Sequence, residues 1–167
     1  VSPEQLAEVR RVTLTNRDVV ARELELTSYA EVVLGPRGGD LAHPAFGKLF
    51  LETEWLSGSQ ALLCRRRPRA SDQRPIWAVH VAAVEGTTVG ATEYETDRAR
   101  FLGRGRTTAD PEALDPGVAL SGTTGPVLDP VLSLRRRVRI EPGSSATFAV
   151  TTAVAYNREE ALALADQ

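Results

Sequence analysis

The longest regular pattern in this sequence is an alternation of apolar and polar residues over residues 22–34. One face of the alternation carries Leu24, Leu26, Ser28, Ala30, Val32 and Leu34, and the other carries Glu23, Glu25, Thr27, Tyr29 and Glu31. Successive side chains of a β-strand point to opposite faces, so this period of two predicts one long strand with one buried face. Glycines and a proline at residues 35–39 predict that the strand ends there, because proline lacks an amide hydrogen and glycine admits unusual backbone angles.

Further segments show either the same alternation or a short apolar run: residues 9–15, 46–55, 60–66, 76–84, 91–96, 131–140 and 145–156. The last two flank a turn at residues 141–144 and are predicted to pair as a hairpin. Arg135, Arg137 and Arg139 alternate with apolar residues, so we expect them on the outer face of their strand. Strand follows strand without long helices between them, which indicates an all-β fold, an antiparallel β-sandwich.

A short helix is predicted at the end of the sequence. Asn157 is a good N-cap residue, and Glu160 stands three positions later, which completes a capping-box pattern before an apolar run. We therefore assign residues 1–156 to a β-sandwich domain and residues 157–167 to the start of a helix, which the family resemblance described below implies is a linker helix.

The charge of the chain argues against two classes of partner, nucleic acid and acidic membrane. The net charge is −2, so no global field draws the chain to nucleic acid or to an acidic membrane surface. Residues 65–72 are basic, but no aromatic residues are interleaved, and we expect a solvated connection there.

Cys64 is the only cysteine and stands in an apolar run, so we expect a buried thiol, no disulfide and a reducing compartment. The longest strongly apolar run, residues 76–84, is too short to span a bilayer.

Residues 94–106 bring together aromatic rings, acids, arginines and two glycines, which is the composition of a polar binding loop. Asp97 can pair with Arg98 or Arg100 to order such a loop, with Phe101 as its hydrophobic anchor. Arginine donors and an aromatic ring also suit sugar hydroxyls and sugar faces. Structural anchoring and contact with carbohydrate or another domain both remain open from these residues.

No residue pattern indicates catalysis or a metal site. His43, in a loop predicted over residues 40–44, has no second histidine or cysteine at metal-binding spacing, so we expect its ring to anchor the loop by a hydrogen bond. His80 stands inside an apolar strand and is predicted to be a core histidine with satisfied ring nitrogens. Glu93 and Glu95 share a strand face and could form a two-carboxylate glycosidase site, but acids on a solvated strand are the commoner case. No nucleophile elbow, Walker loop or dinucleotide fingerprint occurs, and no cofactor is expected.

Several motifs in the same order carry a family resemblance: residues 27–31, 43–46, 94–106, 120–125, 129–130 and the closing segment 158–161. In them the chain resembles glycoside hydrolase family 94 and its bacterial cyclic β-1,2-glucan synthase relatives of the glycosyltransferase family 36 type. The resemblance implies a supersandwich of galactose mutarotase-like architecture, followed by a linker helix and a catalytic (α/α)-barrel that supplies the general acid. It also implies that the family's sandwich begins before Val1, so that its first strands lie outside this sequence.

The resemblance therefore implies a non-catalytic, carbohydrate-associated domain that packs on the barrel of a phosphorylase or transglycosylating enzyme. The residues expected to contact carbohydrate or the barrel are Asp97, Arg98, Phe101, Arg104 and His43, with a β-glucan oligosaccharide as the ligand class. The expected location is the cytoplasm, or the cytoplasmic or periplasmic part of a larger membrane-associated protein. Two alternatives stay open: a stand-alone carbohydrate-binding module, for which Trp55 and Trp77 are the only tryptophans, and a homodimerisation domain without a ligand.

Overall fold

The computed structural model describes residues 5–70 and 73–166. Its strands are β1 Ala7–Thr15, β2 Arg22–Thr27, β3 Ala30–Glu31, β4 Leu51–Leu56, β5 Ala61–Arg66, β6 Ile76–Glu85, β7 Thr87–Asp97, β8 Pro130–Ile140 and β9 Ser145–Ala155. Its α-helices are α1 Arg37–Ala42, α2 Pro44–Lys48, α3 Arg98–Leu102 and α4 Arg158–Ala165, and Glu112–Leu114 forms a single 3₁₀ turn. The ends of the two predicted domains, residues 1–4 and 167, and residues 71–72 of the predicted basic connection lie outside the described part.

Two antiparallel sheets face each other. The first has the order β1-β9-β6-β5-β4, and the second is centred on β8, which pairs with β2 and β3 along one edge and with β7 along the other. Leucines from both sheets meet between them, including Leu51 and Leu62 from the first and Leu132 and Leu134 from the second, all almost fully buried. Each such leucine contributes about 2 kcal/mol through burial. The predicted all-β sandwich is confirmed.

The predicted hairpin between the last two strands is wrong. β8 belongs to the second sheet and β9 to the first, where β9 pairs with β1 and β6. The turn at residues 141–144 therefore carries the chain from one sheet to the other. Alternation shows which face of a strand is buried, but it does not identify the strand that lies beside it.

The arginine pattern of β8 also needs a correction. Arg137 and Arg139 are exposed as expected, but Arg135 is only 3% exposed. A connection outside the sheets covers that part of the outer face, and its backbone carbonyls accept hydrogen bonds from the Arg135 guanidinium.

Two of the predicted strands are interrupted. The long alternation over residues 22–34 divides into β2 and β3, because Ser28 Oγ binds the backbone of Leu134 and bends the chain between them. Residues 46–55 are not one strand, since Pro44 starts helix α2 at the position where a proline costs no hydrogen bond, and β4 begins only at Leu51. The loop predicted over residues 40–44 is mostly helix α1.

The predicted terminal helix is confirmed as α4. Asn157 Oδ1 accepts a hydrogen bond from the Glu160 amide at 2.7 Å, and the Glu160 carboxylate accepts one from the Tyr156 amide at 3.3 Å. Ala161 and Ala165 then pack the helix against the outer face of the first sheet. Within the described residues, no helix is both long enough and apolar enough to cross a bilayer.

The sandwich has two unlike ends. At one, which we call the turn end, short turns at residues 16–21, 57–60, 86 and 141–144 join the strands. At the other, which we call the connector end, β3, β5 and β7 finish and β4, β6 and β8 begin. There the chain inserts helices α1 and α2, helix α3 and the long segment 103–129.

Candidate functional site

An ion-pair network ties the helices of the connector end together. The Asp129 carboxylate, just before β8, accepts a hydrogen bond from Lys48 Nζ at the end of α2. The same carboxylate lies 3.7 Å from the Arg98 guanidinium, and the Asp129 carbonyl accepts a hydrogen bond from the Arg98 amide at 3.0 Å. The segment with His43 and the segment with Arg98 to Arg104 are far apart in sequence, and Asp129 links them.

Arg98 and Phe101 fix helix α3 to the second sheet. Arg98 Nε donates to Glu31 Oε1 at 2.9 Å and to the Tyr29 hydroxyl at 3.2 Å. This hydrogen bond to Glu31 raises the pKa of the Arg98 guanidinium and lowers the pKa of the Glu31 carboxyl. The Phe101 ring is buried with its centroid 4.8 Å from that of Tyr29. Both predicted residues lie at the connector end, and the contacts that they make here are within the domain.

Asp97 begins helix α3. Its carboxylate accepts a hydrogen bond from the Ala99 amide at 2.9 Å, which is the N-cap arrangement, and lies 3.8 Å from the Arg100 guanidinium. The stretch expected to be a loop, residues 94–106, is therefore the end of β7, one short helix and a turn. Gly103 ends the helix with a φ of 80°, an angle that residues with a side chain adopt at a cost.

Arg104 and Arg100 stand exposed beside a cavity of about 350 Å³. Within the described part of the chain Arg104 makes no ion pair or hydrogen bond, so its guanidinium is available to a ligand or a second domain. Glu112 and Ser121 line the other side of the cavity. Sequence patterns indicated Arg104 and the pairing of Asp97 with Arg100, but they did not show that the exposed Arg100 side chain lies beside the same cavity.

The carboxylate of Glu95 lies at the base of this cavity and is 2% exposed. Its Oε1 accepts hydrogen bonds from the Thr96 and Asp97 amides at 2.9 Å, and its Oε2 accepts one from the Ser121 hydroxyl at 2.5 Å. Glu93 accepts one from the Leu120 amide at 2.9 Å. The pair therefore fastens segment 103–129 to β7. Because Glu95 is buried and its oxygens already accept hydrogen bonds within the domain, the two-carboxylate glycosidase hypothesis is not supported.

Arg135 completes the same framework from β8. Its Nη1 donates to the Val118 carbonyl at 2.6 Å, its Nη2 to the Ala113 carbonyl, and its Nε to the Thr27 hydroxyl at 2.9 Å. Glu93 lies 3.5 Å away and balances the charge. No sequence signal distinguished Arg135 from the exposed arginines next to it in the strand.

His43 lies between α1 and α2 with an exposed side chain. Its backbone amide donates to the Gly39 carbonyl at 3.0 Å, but its ring makes no hydrogen bond to any residue that the structure describes. The predicted ring hydrogen bond is therefore wrong, since the backbone anchors this segment. Nearby, Leu41 is 73% and Phe46 48% exposed, so the helices present apolar surface beside the histidine.

His80 and Cys64 have reactive side chains, but both are buried in the core and their surroundings indicate a structural role. His80 Nε2 lies 2.8 Å from Ser28 Oγ and Nδ1 lies 2.8 Å from Thr152 Oγ1, which confirms the prediction of a satisfied core histidine. Burial lowers the pKa of His80 to about 4 and raises the pKa of the Cys64 thiol to about 12. Across residues 5–70 and 73–166, no three histidine, cysteine, aspartate or glutamate side chains are grouped to hold a metal ion.

The connector end can thus contact a partner through two exposed arginines, a histidine and apolar helix surface, all on a braced framework.

Comparison with known proteins agrees with the resemblance found in the motifs. The family model described as "Glycosyl hydrolase 94, supersandwich domain" matches residues 1–167. The chain is also 42% identical over 159 residues to the cyclic beta-(1,2)-glucan synthase NdvB of Rhizobium meliloti (strain 1021), a match that covers 95% of this chain and 6% of that protein. On the strength of the whole-length family match, the chain belongs to the supersandwich domain family of glycosyl hydrolase 94.

Proposed function

We propose that this chain is a non-catalytic domain of a β-glucan phosphorylase or a cyclic β-1,2-glucan synthase-like enzyme. In this proposal its connector end packs on a separate catalytic (α/α)-barrel and shapes the barrel's sugar or phosphate site. The domain contributes position and charge, and the barrel contributes the general acid. The match to a small part of a much longer glucan synthase supports a role within a larger protein.

The observation that carries the proposal is the free guanidinium of Arg104 beside that of Arg100 on a braced support. Both residues lie on or next to α3, which is fixed to the sandwich by Asp97, Arg98 and Phe101. A rigid support reduces the entropy that two long side chains lose when they bind a partner. Guanidinium groups suit phosphate and carboxylate groups through paired hydrogen bonds, and they also donate to sugar hydroxyls.

His43 and the exposed apolar residues of α1 and α2 extend this surface. Leu41 is mostly exposed, and Phe46 is half-exposed with Phe50 and the Arg69 guanidinium against its ring. A surface that combines apolar side chains with arginines has the composition of a contact between domains. Asp129 and Lys48 hold it in a fixed relation to α3.

The test is turnover by a full-length protein that carries this domain, with Arg100→Ala and Arg104→Ala combined. We expect turnover to fall by about tenfold or more, because loss of a charged hydrogen bond costs about 1.5–3 kcal/mol, while the unfolding free energy of the domain stays unchanged. Arg137→Ala with Arg139→Ala is the matched control, since both are exposed arginines on the outer face of β8 and pair only with nearby glutamates. Equal turnover in the two double variants would refute the proposal.

Arg98→Ala separates anchoring from contact. Its partners Glu31, Tyr29 and Asp129 all lie within the domain, so this variant is expected to lower both domain stability and turnover. A variant at Arg98 that lowers turnover with no loss of stability would show a direct contact with the barrel or its ligand.

A further inference from the structure

A second cavity, of about 470 Å³, lies on the outer face of the first sheet, away from α3. Strands β4, β5 and β6 form its floor, and the first turn of α4 lies beside it. The isolated bridge between Thr53 and Gly125 forms one wall, with hydrogen bonds of 3.0 and 2.8 Å between the two backbones. Its volume falls in the range of about 300–1,000 Å³ that is typical of small-ligand sites.

The floor of the cavity is apolar and contains an aromatic ring. Leu63 is buried there, and Trp77 is half-buried beside it, with the Arg65 guanidinium 5.8 Å from the centroid of its ring. Indole rings contact the C–H face of a sugar ring well, because they offer a large flat apolar surface with a single polar group. Trp55, the other tryptophan, is stacked on Tyr94 between the sheets with a centroid distance of 4.2 Å, so Trp77 is the tryptophan placed at a cavity.

The rim is charged, and its charged groups pair with one another. Glu54 pairs with Arg158 at 2.6 Å on one side, and Glu52 pairs with Arg65 at 2.6 Å and with Arg67 at 3.0 Å on the other. Because each of these groups already has a partner of opposite charge, none is left free to hold an ionic ligand. Each guanidinium has five N–H donors and uses only part of them in its ion pair, so donors remain for hydroxyl groups, and carboxylate oxygens can accept from the same ligand.

We propose that the cavity around Trp77 is a binding subsite for a neutral sugar, with one face of a pyranose ring on Trp77 and its hydroxyls on Glu54, Glu52 and the two arginines. This inference rests on the proposed function for the choice of a β-glucan as the sugar. It adds a site on the outer face of the first sheet, separate from the cavity beside Arg100 and Arg104, and it provides a place where a growing or bound glucan chain contacts the domain.

The experiment is a fluorescence titration of the 167-residue chain with a β-1,2-linked glucose disaccharide and with glucose 6-phosphate. We expect a saturable change in tryptophan emission with the neutral disaccharide at about 10 mM or below, and weaker binding of the phosphate ester. Trp55→Phe is expected to retain the change and Trp77→Phe to lose it, since the first ring is stacked between the sheets and the second faces the cavity. The two variants thus serve as matched reporters.

Glu54→Gln gives a test that does not alter the core, because the Glu54–Arg158 pair is exposed and such pairs contribute little to stability. We expect this variant to bind the disaccharide with about tenfold lower affinity and to show an unchanged unfolding transition. No saturable signal in the wild-type chain, or equal affinity in wild type and Glu54→Gln, would overturn the proposal. These outcomes are independent of the turnover test on Arg100 and Arg104, so either proposal can fail while the other stands.

Discussion

The two ends of the sandwich solve the same problem, joining antiparallel strands, in different ways. At the turn end the Asn16 side chain ties the first turn: its side-chain amide donates to the Val20 and Ile140 carbonyls at 2.8 and 2.9 Å, and its Oδ1 accepts from the Asp18 amide at 3.0 Å. At the connector end the segment between α3 and β8 is far longer. There Glu93, Glu95 and Arg135 bind its backbone from two different strands.

This difference shows that the connector end has more ordered structure than is needed to join its strands. A turn of a few residues is sufficient to reverse the chain, so long connections that are held rigid are typical of surfaces that bind something. The connector end also holds the free guanidinium of Arg104. If the framework is what keeps the connector end rigid, substitutions there should lower the unfolding free energy more than matched substitutions at the turn end.

The largest expected effect is at Glu95. Replacing Glu95 with alanine leaves two backbone amides of β7 and α3 and the Ser121 hydroxyl without their acceptor in a buried place. A lost hydrogen bond to a charged group costs about 1.5–3 kcal/mol, and the separate losses do not add in full. We therefore expect a total loss of about 4 kcal/mol of unfolding free energy in urea denaturation. Glu141→Ala at the turn end, where the carboxylate is exposed and pairs only with Arg139, should cost under about 0.5 kcal/mol. Similar losses in both variants would contradict the contrast between the ends.

A pair of glycines gives the second comparison. Gly103 at the connector end and Gly143 at the turn end have φ angles of 80° and 73°. A Cβ atom at Gly103 would come within 2.7 Å of the Glu112 Cβ, whereas one at Gly143 would meet nothing within 4 Å. Gly143→Ala should therefore cost only the backbone strain of about 1 kcal/mol, and Gly103→Ala about 3 kcal/mol, because overpacking is added to strain.

Thermal or urea unfolding measures both variants. The double variant Gly103→Ala with Glu112→Gly removes the crowding Cβ and carboxylate atoms and, measured against the single variant Glu112→Gly, should recover most of the difference. Failure of that recovery would mean that the close approach of the two segments is not what makes Gly103 necessary.

A change of pH tests whether the two ends share one core. His80 lies between the sheets, and burial lowers the pKa of its ring from 6.5 to about 4. Because the unfolded chain binds this proton more readily, the stability contributed by neutral His80 is complete above pH 6.5 and is lost as the pH falls toward 4. Between pH 7 and pH 5 we expect a loss of about 2 kcal/mol in unfolding free energy.

Hydrogen exchange shows whether that loss is shared. The Ser121 amide at the connector end and the Asn16 amide at the turn end should lose protection by the same factor if they open only when the whole domain unfolds. A histidine ring signal in NMR that titrates near pH 6.5 at His80 would refute the premise. Unequal loss of protection would instead show that the connector end opens separately.

The sequence predicted most of the strands because apolar residues follow burial. A continuous apolar run marks β5, where residues 61–64 are buried on both faces, and alternation marks the second half of β8, where Val138 and Ile140 are buried between exposed arginines. It did not predict that β8 and β9 lie in different sheets, because pairing depends on contacts between distant residues such as Phe148 with Val12 and Val84. The helices α1 and α2 were missed for a related reason. The glycines and the proline at residues 35–39 predicted a loop where α1 forms, and the apolar but exposed Phe46 was assigned to a strand where α2 forms.

The residues expected from the sequence to contact carbohydrate or the barrel lie together at the connector end: Asp97, Arg98, Phe101, Arg104 and His43. Their contact with a ligand or a barrel stays a prediction, and the framework that supports them was not predicted. Glu95 and Arg135 carry the same charges as many exposed residues, and only the fold shows that the segment 103–129 covers them. A buried charge that binds backbone groups leaves no pattern in the sequence, since its partners are amides and carbonyls that every residue has.

The smallest expected effect concerns α4, the helix that leaves the connector end and packs on the first sheet. Asn157→Ala removes the acceptor of the Glu160 amide, and loss of an N-cap costs about 1 kcal/mol. Asn157→Asp is the matched control, because an aspartate accepts the same hydrogen bond and also favours the positive end of the helix dipole, so its stability should equal or exceed that of the wild type. If the alanine and aspartate variants lose the same free energy, the cap does not hold α4. Greater hydrogen exchange of the Ala161 amide in Asn157→Ala, without a change at Ser121, would then show that α4 frays independently of the framework at Glu95.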